Sequence, residues 1–271
     1  MPGIFLTRGS TLRIPSFTID LDNIEATTIT AEVGFDVYPL WLRSAILQAR
    51  QAKEVADELD RAWDGSGGDF HAELLEREIV SSMSAIVSAS AALDSFYGSV
   101  VDRCPRSLQS GSGKRQRRRA RERIIISTFQ QRFALRNETV EQLRQPLKDL
   151  FTFRHIALHA HGRPEITIEH PRLGVGMSRK HVIFRAENAV AATSFALMAI
   201  AFLSTRPHHR YPALREHCGY AREWLDPLIT DWERDHPTLG LTRPLKERER
   251  QRKGSTEKIA ALGTYGESGE A

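Results

Sequence analysis

Cysteine is scarce in this sequence. Cys104 and Cys218 stand far apart and neither belongs to a CxxC. A disulfide framework and a zinc ribbon are not supported, and a reducing cytoplasm is the expected compartment. No P-loop, GxGxxG or GxSxG occurs. Readings as an ATPase, a dinucleotide enzyme or a hydrolase with a nucleophile elbow therefore lose their support. The stretch MPGIFLTRGSTLRIPSF lacks the basic start and long apolar run of a signal peptide. The most apolar run, Ala189 to Leu203, falls short of the ~20 residues of a membrane span and is rich in small residues. It reads as a buried bundle helix, and no membrane partner is expected. No internal repeat is visible.

What is present suits a folded domain. Of the 271 residues, 41% are hydrophobic, enough for a core, and the length fits one large domain or one with additions. The net charge of +4 is mild, so its distribution matters more than its sum. Residues 1–38 read as a β-rich extension, with TLRIPSFTIDL and EATTITAEVGFDVY as strands and Asp22-Asn23 as the turn between them. From Pro39 the pattern turns helical and ends before DGSGG. Further helices are expected over about 70–103, over a segment that opens with KRQRRRARER, over about 140–160, over 187–204 and over about 212–234. Asn137 is read as the N-cap of the fourth of these six helices, and Pro227 as a kink in the last. EITIEH and KHVIFRAE read as a strand pair inserted at about 164–186. The expected architecture is mainly α: an antiparallel helical bundle over 39–240 with that hairpin insert, the N-terminal extension, and a mobile charged tail over 241–271.

One stretch, FTFRHIALHAHG from Phe151 to Gly162, departs from a simple core helix. Leu143, Leu147, Leu150, Arg154 and Ala157 follow the spacing of a packed seam, so Arg154 stands where leucine is expected. An unpaired buried charge is costly, so Arg154 needs a partner or a polar cleft. The preceding long helix offers Asp94, on a seam with Met83, Val87, Ser90, Tyr97 and Val101. A structural ion pair that fixes helix register is the simplest account of these two residues alone. His155 and His159 share a helix edge, whereas Arg154 and His159 lie about 140° apart on an ideal helix. A long Arg side chain or a second subunit is needed to bring those two together.

These residues carry a resemblance. Arg154 to His159, RHIALH, is an Arg-X4-His with a polar residue directly after the Arg, near the end of a bundle helix. This resembles the signature of the HEPN superfamily, helical bundles that include metal-independent ribonucleases of toxin–antitoxin, abortive-infection and CRISPR systems. Ser81 to Val100, SSMSAIVSASAALDSFYGSV, resembles the early HEPN helix that carries an inward acid, here Asp94. The resemblance spans roughly residues 70–205. It implies a dimer, an RNA substrate, and catalysis in which His159 moves the proton and Arg154 clamps the phosphate. His155 shapes the site and Asp94 holds Arg154. A toxin or phage-defence role, with an antitoxin or other regulatory protein as partner, goes with it. So does the alternative, since some HEPN bundles are non-catalytic modules that bind RNA or protein or serve to dimerise. Toxin-type members carry a Tyr two residues beyond the motif His. This chain has His161 there, so regulation through that Tyr is not implied.

The basic run Lys114, Arg115, Arg117, Arg118, Arg119, Arg121 and Arg123 faces one acid, Glu122, and reads as a rail for an RNA backbone. It has no interleaved aromatics for base stacking. A metal is the rival chemistry: His155, His159 and His161 form HxxxHxH, with His170 and His181 beyond. The Glu of an HExxH is missing and no acid lies among the three histidines, so neither a metal nor another cofactor is expected. RPHHRY, with His208 and His209, reads as an exposed loop, and Trp224 and Trp232 as core or interface.

Overall fold

The structure, a computed structural model, describes residues 10–18, 28–104, 120–159 and 167–237. The turn at Asp22-Asn23, the rail residues Lys114 to Arg119, His161 and the segment 241–271 lie outside the described residues. Within them the protein is mainly helical, with seven helices and small antiparallel sheets.

Strands β1 (Ser10–Thr18) and β2 (Thr28–Phe35) form a two-stranded antiparallel ribbon. Its register slips between Arg13 and Ser16, around Pro15, which cannot donate to a ladder. β2 leads through Asp36 and Val37 into α1 (Tyr38–Ala62), with Pro39 in its first turn, where the missing N–H costs nothing. Asp64 and the glycines 65, 67 and 68 reverse the chain into α2 (Asp69–Asp102). Ser66 N–H donates to Asp64 Oδ1 at 2.8 Å, and Gly65 and Gly67 take positive φ.

The core is built on small residues. Ala45, Ala49, Ala52 and Ala56 of α1 and Ala85, Ala89 and Ala92 of α2 are all buried. Ser44 and Ser88 hydroxyls meet at 3.0 Å between the two helices. Against this pair packs α6 (Ala186–Ser204), the small-residue run expected to be buried, whose Thr193 hydroxyl donates to Ala45 O at 3.4 Å. By length and composition α2 and α6 could each cross a membrane, but 56% and 61% of their apolar windows are buried inside the bundle. The last helix, α7 (Pro212–Asp235), continues through Pro227 and buries Trp232, whose indole N–H donates to Ser194 Oγ at 3.0 Å.

Between α2 and α6 the chain forms a second helical hairpin, α3 (Arg121–Arg132) and α4 (Asn137–Leu158). The tight link uses Ala134 at positive φ. Asn137 is the first helical residue and Arg136 occupies the N-cap. The Asn137 side chain instead accepts from Gln130 Nε2 at 3.1 Å. Leu143, Leu147 and Leu150 are buried as the seam requires.

The insert differs from the expected strand pair. Only Ile168–Glu169 (β3) and Gly176–Met177 (β4) pair, and RKHVI forms a short helix, α5 (Arg179–Ile183). The reason lies in neighbouring side chains. Ile183 and Phe184 are both buried, whereas a strand would send adjacent residues to opposite faces.

Two polar clamps tie the ends of the bundle. At one end, Arg172 of the insert donates to both Glu78 oxygens at 2.7 Å and reaches Asp60 at 3.1 Å and Glu187 at 3.4 Å. Glu78 also accepts the Ala186 N–H at 2.8 Å, at the positive end of the α6 dipole. Burial raises the Glu78 pKa, opposed by this N–H and by Arg172. At the other end, Asp36 holds Arg103 at 2.8 Å, accepts the Ser99 hydroxyl, and lies 3.6 Å from His217 of α7. Burial, then Arg103, lowers the His217 pKa to about 4. The two cysteines are free and buried, and burial pushes the Cys218 thiol up to about 12.

Glu78→Ala leaves Arg172 without its closest counter-charge, so a loss of about 3 kcal/mol or more is expected in urea unfolding. His217 sets a pH window. Its folded pKa lies below the unfolded value near 6.5, so its contribution is full above pH 6.5 and is lost as pH falls toward about 4. Stability measured from pH 7 to 4 should fall less steeply in His217→Gln than in the native chain.

Candidate functional site

The FTFRHIALH stretch forms the last turns of α4. Helical hydrogen bonding ends with His159 N–H donating to His155 O at 3.0 Å, after which His159 leaves helical geometry. His155 and His159 are four residues apart, and their ring centroids lie 4.8 Å apart at 48°. Arg154 and His159 line one cleft within a single chain, although an ideal helix separates them by about 140°. The long Arg side chain and the break in helix geometry at His159 account for both reaching one cleft.

The open cleft has a volume of about 440 Å³. Its walls come from the start of α3, with Arg121 and Glu122, and from the end of α4, with Lys148, Phe151, Thr152, Arg154, His155, Leu158 and His159. Phe151 supports Arg154, whose guanidinium carbon sits 5.7 Å from the ring centroid. The lining holds three permanent cations and two imidazoles against one carboxylate, Glu122. An anionic ligand is the chemistry this charge distribution fits.

Asp94 stands behind this wall. Its Oδ2 lies 3.5 Å from Arg154 Nη1, so the two inward charges do form an ion pair. The tighter partner is Arg121, whose Nε donates to Oδ1 at 2.7 Å and whose Nη2 lies 2.6 Å from the same oxygen. Arg121 also covers the Tyr97 ring at 4.4 Å. One carboxylate is thus shared by two guanidiniums, and Arg154 remains 31% exposed at the cleft. In the sequence Arg121 reads only as part of a basic rail. Its partner lies 27 residues back on another helix, beyond the reach of any periodic pattern. Arg123 also lies on α3, two residues on, but does not line the cleft.

The other histidines are dispersed. His170 is fully buried in the insert, where burial and the neighbouring Arg172 and Arg185 lower its pKa. His181 meets the Ser178 hydroxyl at 2.7 Å. Among the described residues no group of three His, Cys, Asp or Glu side chains is placed to hold a metal. The chain matches no known family model, no curated protein and no solved structure.

Asp94→Asn removes a partly exposed charge but keeps an acceptor oxygen for its two arginines, so its cost to stability should be about 1 kcal/mol. It also leaves two guanidiniums uncompensated beside the cleft. Binding of inorganic polyphosphate, followed by calorimetry, should therefore tighten in this variant.

Proposed function

We propose that the protein is a HEPN-like metal-independent endoribonuclease whose centre is the cleft at the end of α4. The carrying observation is that Arg154, His155 and His159 line one open, cationic cleft. RNA supplies its own nucleophile, so the protein needs only proton transfer and charge stabilisation. Arg154 grips the scissile phosphate through two of its N–H groups and stabilises the charge that builds on the phosphoryl oxygens. His159, whose imidazole can both accept and donate a proton, serves the proton transfers. As the 2′-OH loses its proton, its oxygen bonds to phosphorus. The bond to the 5′-oxygen breaks, and that oxygen takes a proton. The products are a 2′,3′-cyclic phosphate and a 5′-OH. His155, beside His159, shapes the site. Asp94 holds Arg154 from behind, and Arg121 neutralises the rest of its charge.

A homodimer, a regulatory protein such as an antitoxin, and a role in toxin or phage-defence chemistry complete this reading. The second reading, a HEPN-like RNA- or protein-binding module without catalysis, draws on the ion pair that holds Arg154 to Asp94.

Labelled single-stranded RNA incubated in EDTA with the native chain should yield cyclic-phosphate ends. The Arg154→Ala/His159→Ala double variant should lose at least about a hundredfold in rate, the low end of what general acid–base catalysis supplies. RNA that stays intact with the folded native chain while still binding it would assign the cleft to the binding module.

A further inference from the structure

The α3–α4 hairpin carries a second concentration of positive charge at its opposite end. Arg132, the last residue of α3, is only 6% exposed. Its Nη1 donates to the Tyr211 hydroxyl, and its guanidinium carbon lies 4.8 Å from the centre of that ring. No carboxylate pairs with it among the described residues. A buried guanidinium without a counter-charge is costly unless an anion approaches it.

The surroundings add charge of the same sign. The loop between α6 and α7 is anchored on Arg132, whose carbonyl accepts the His208 N–H at 2.9 Å. The His208 and His209 rings stack at 4.4 Å and 29°. Arg210 N–H donates to His208 Nδ1 at 3.2 Å. Arg210 and Arg136, the N-cap of α4, are exposed and form no ion pair with the described residues. The His208 pKa is lowered by burial and then by His209 and Arg210, with no carboxylate opposing them. Glu138 and Glu216 are the acids nearest in sequence to these cations.

This patch stands in a fixed relation to the cleft. Arg136 and Arg154 stand eighteen residues apart along α4, about 27 Å of helix. That distance corresponds to about eight stacked nucleotides at ~3.4 Å each. We propose that Arg136 and Arg210, with His208 and His209 beside them and Arg132 beneath, form a second phosphate-binding patch for the backbone of the same single-stranded RNA that enters the cleft. The choice of RNA rests on the ribonuclease reading. The patch itself rests on charge and burial.

The test uses the full chain, a fluorescent 12-nucleotide RNA made uncleavable by 2′-O-methylation, and a 2′-O-methyl tetramer. A stacked tetramer covers about 10 Å and cannot reach both places. Binding is followed by anisotropy across a salt series, with folding of each variant checked by circular dichroism. In Arg136→Ala/Arg210→Ala the 12-mer should bind at least about tenfold more weakly, with the salt slope smaller by about 1.4, two contacts at ~0.7 each. Tetramer binding should not change. A 12-mer affinity and slope equal to the native chain's would overturn the patch. So would a tetramer weakened as much as the 12-mer, a native chain that binds neither, or displacement of the 12-mer by inorganic phosphate at matched ionic strength. The cleavage assay separates the two readings. Weakened 12-mer binding without cleavage by the native chain keeps the patch and removes the ribonuclease. Cleavage with an unchanged slope does the reverse.

Discussion

Close approach of α1, α2 and α6 through small side chains is the constraint on which the rest of this structure depends. Alanines and serines let three helix backbones come near each other, so the middle of the bundle has little room for a polar group. Charges are pushed to the helix ends and to the outer α3–α4 hairpin. Where a charge does enter, it comes with partners: Glu78 with Arg172 and the Ala186 N–H, Asp36 with Arg103 and Ser99. The first clamp also fixes the insert, which begins a few residues beyond His159. The second fixes the start of α1, the end of α2 and the flank of α7. A rigid three-helix centre held at both ends is a suitable platform for a hairpin that carries chemistry on its outer side.

Asp94 shows how the bundle passes charge to that hairpin. It sits at the margin of α2, 26% exposed, where an acid is tolerable without full neutralisation. Had it met Arg154 alone, the two charges would cancel and the cleft would lose its strongest donor. With Arg121 at 2.6 Å and Arg154 at 3.5 Å, the trio keeps one net positive charge, and the looser partner is the one nearest the histidines. Arg154 is thereby oriented by Asp94 but not consumed by it. Such an arrangement suits a group that must stabilise charge on a ligand, because a donor fixed beforehand needs no reorganisation during the reaction.

Much of this was legible in the sequence because helices repeat every 3.6 residues. The seam of Leu143, Leu147 and Leu150, the small-residue run of α6 and the outlying Arg154 all follow from that period, and the bundle follows from them. The insert was not legible. Ile183 and Phe184 look like a strand to any reading that counts β-branched and aromatic residues, and only their joint burial turns the chain into a helical turn. The partners of Glu78, Asp36 and Asp94 were hidden for a different reason. Each acts across helices over tens of residues, and a long-range ion pair leaves no periodic trace. The shared cleft of Arg154 and His159 fell between these cases: the spacing argued against it, and the end of the helix at His159 permitted it.

The distribution of charge on the α3–α4 hairpin is what favours the proposed phosphate site over a structural ion pair alone. A register-fixing pair needs two charges and an interior. Here the hairpin gathers Arg121, Lys148 and Arg154 with two imidazoles at one end, and Arg132 and Arg136 beside the His208–Arg210 loop at the other. Asp94 and Glu122 offset part of the charge at the first end, and among the described residues no carboxylate pairs with Arg132, Arg136 or Arg210. Cations so placed repel one another, and the folded state bears that repulsion with no gain of its own. The repulsion is relieved if both ends contact one extended polyanion, and the ~27 Å of α4 between Arg136 and Arg154 suits a chain with a regularly repeating charge better than two independent small ligands. Single-stranded RNA has that repeat, and of the common polyanions it also brings the 2′-hydroxyl that a His and Arg pair without a metal can use.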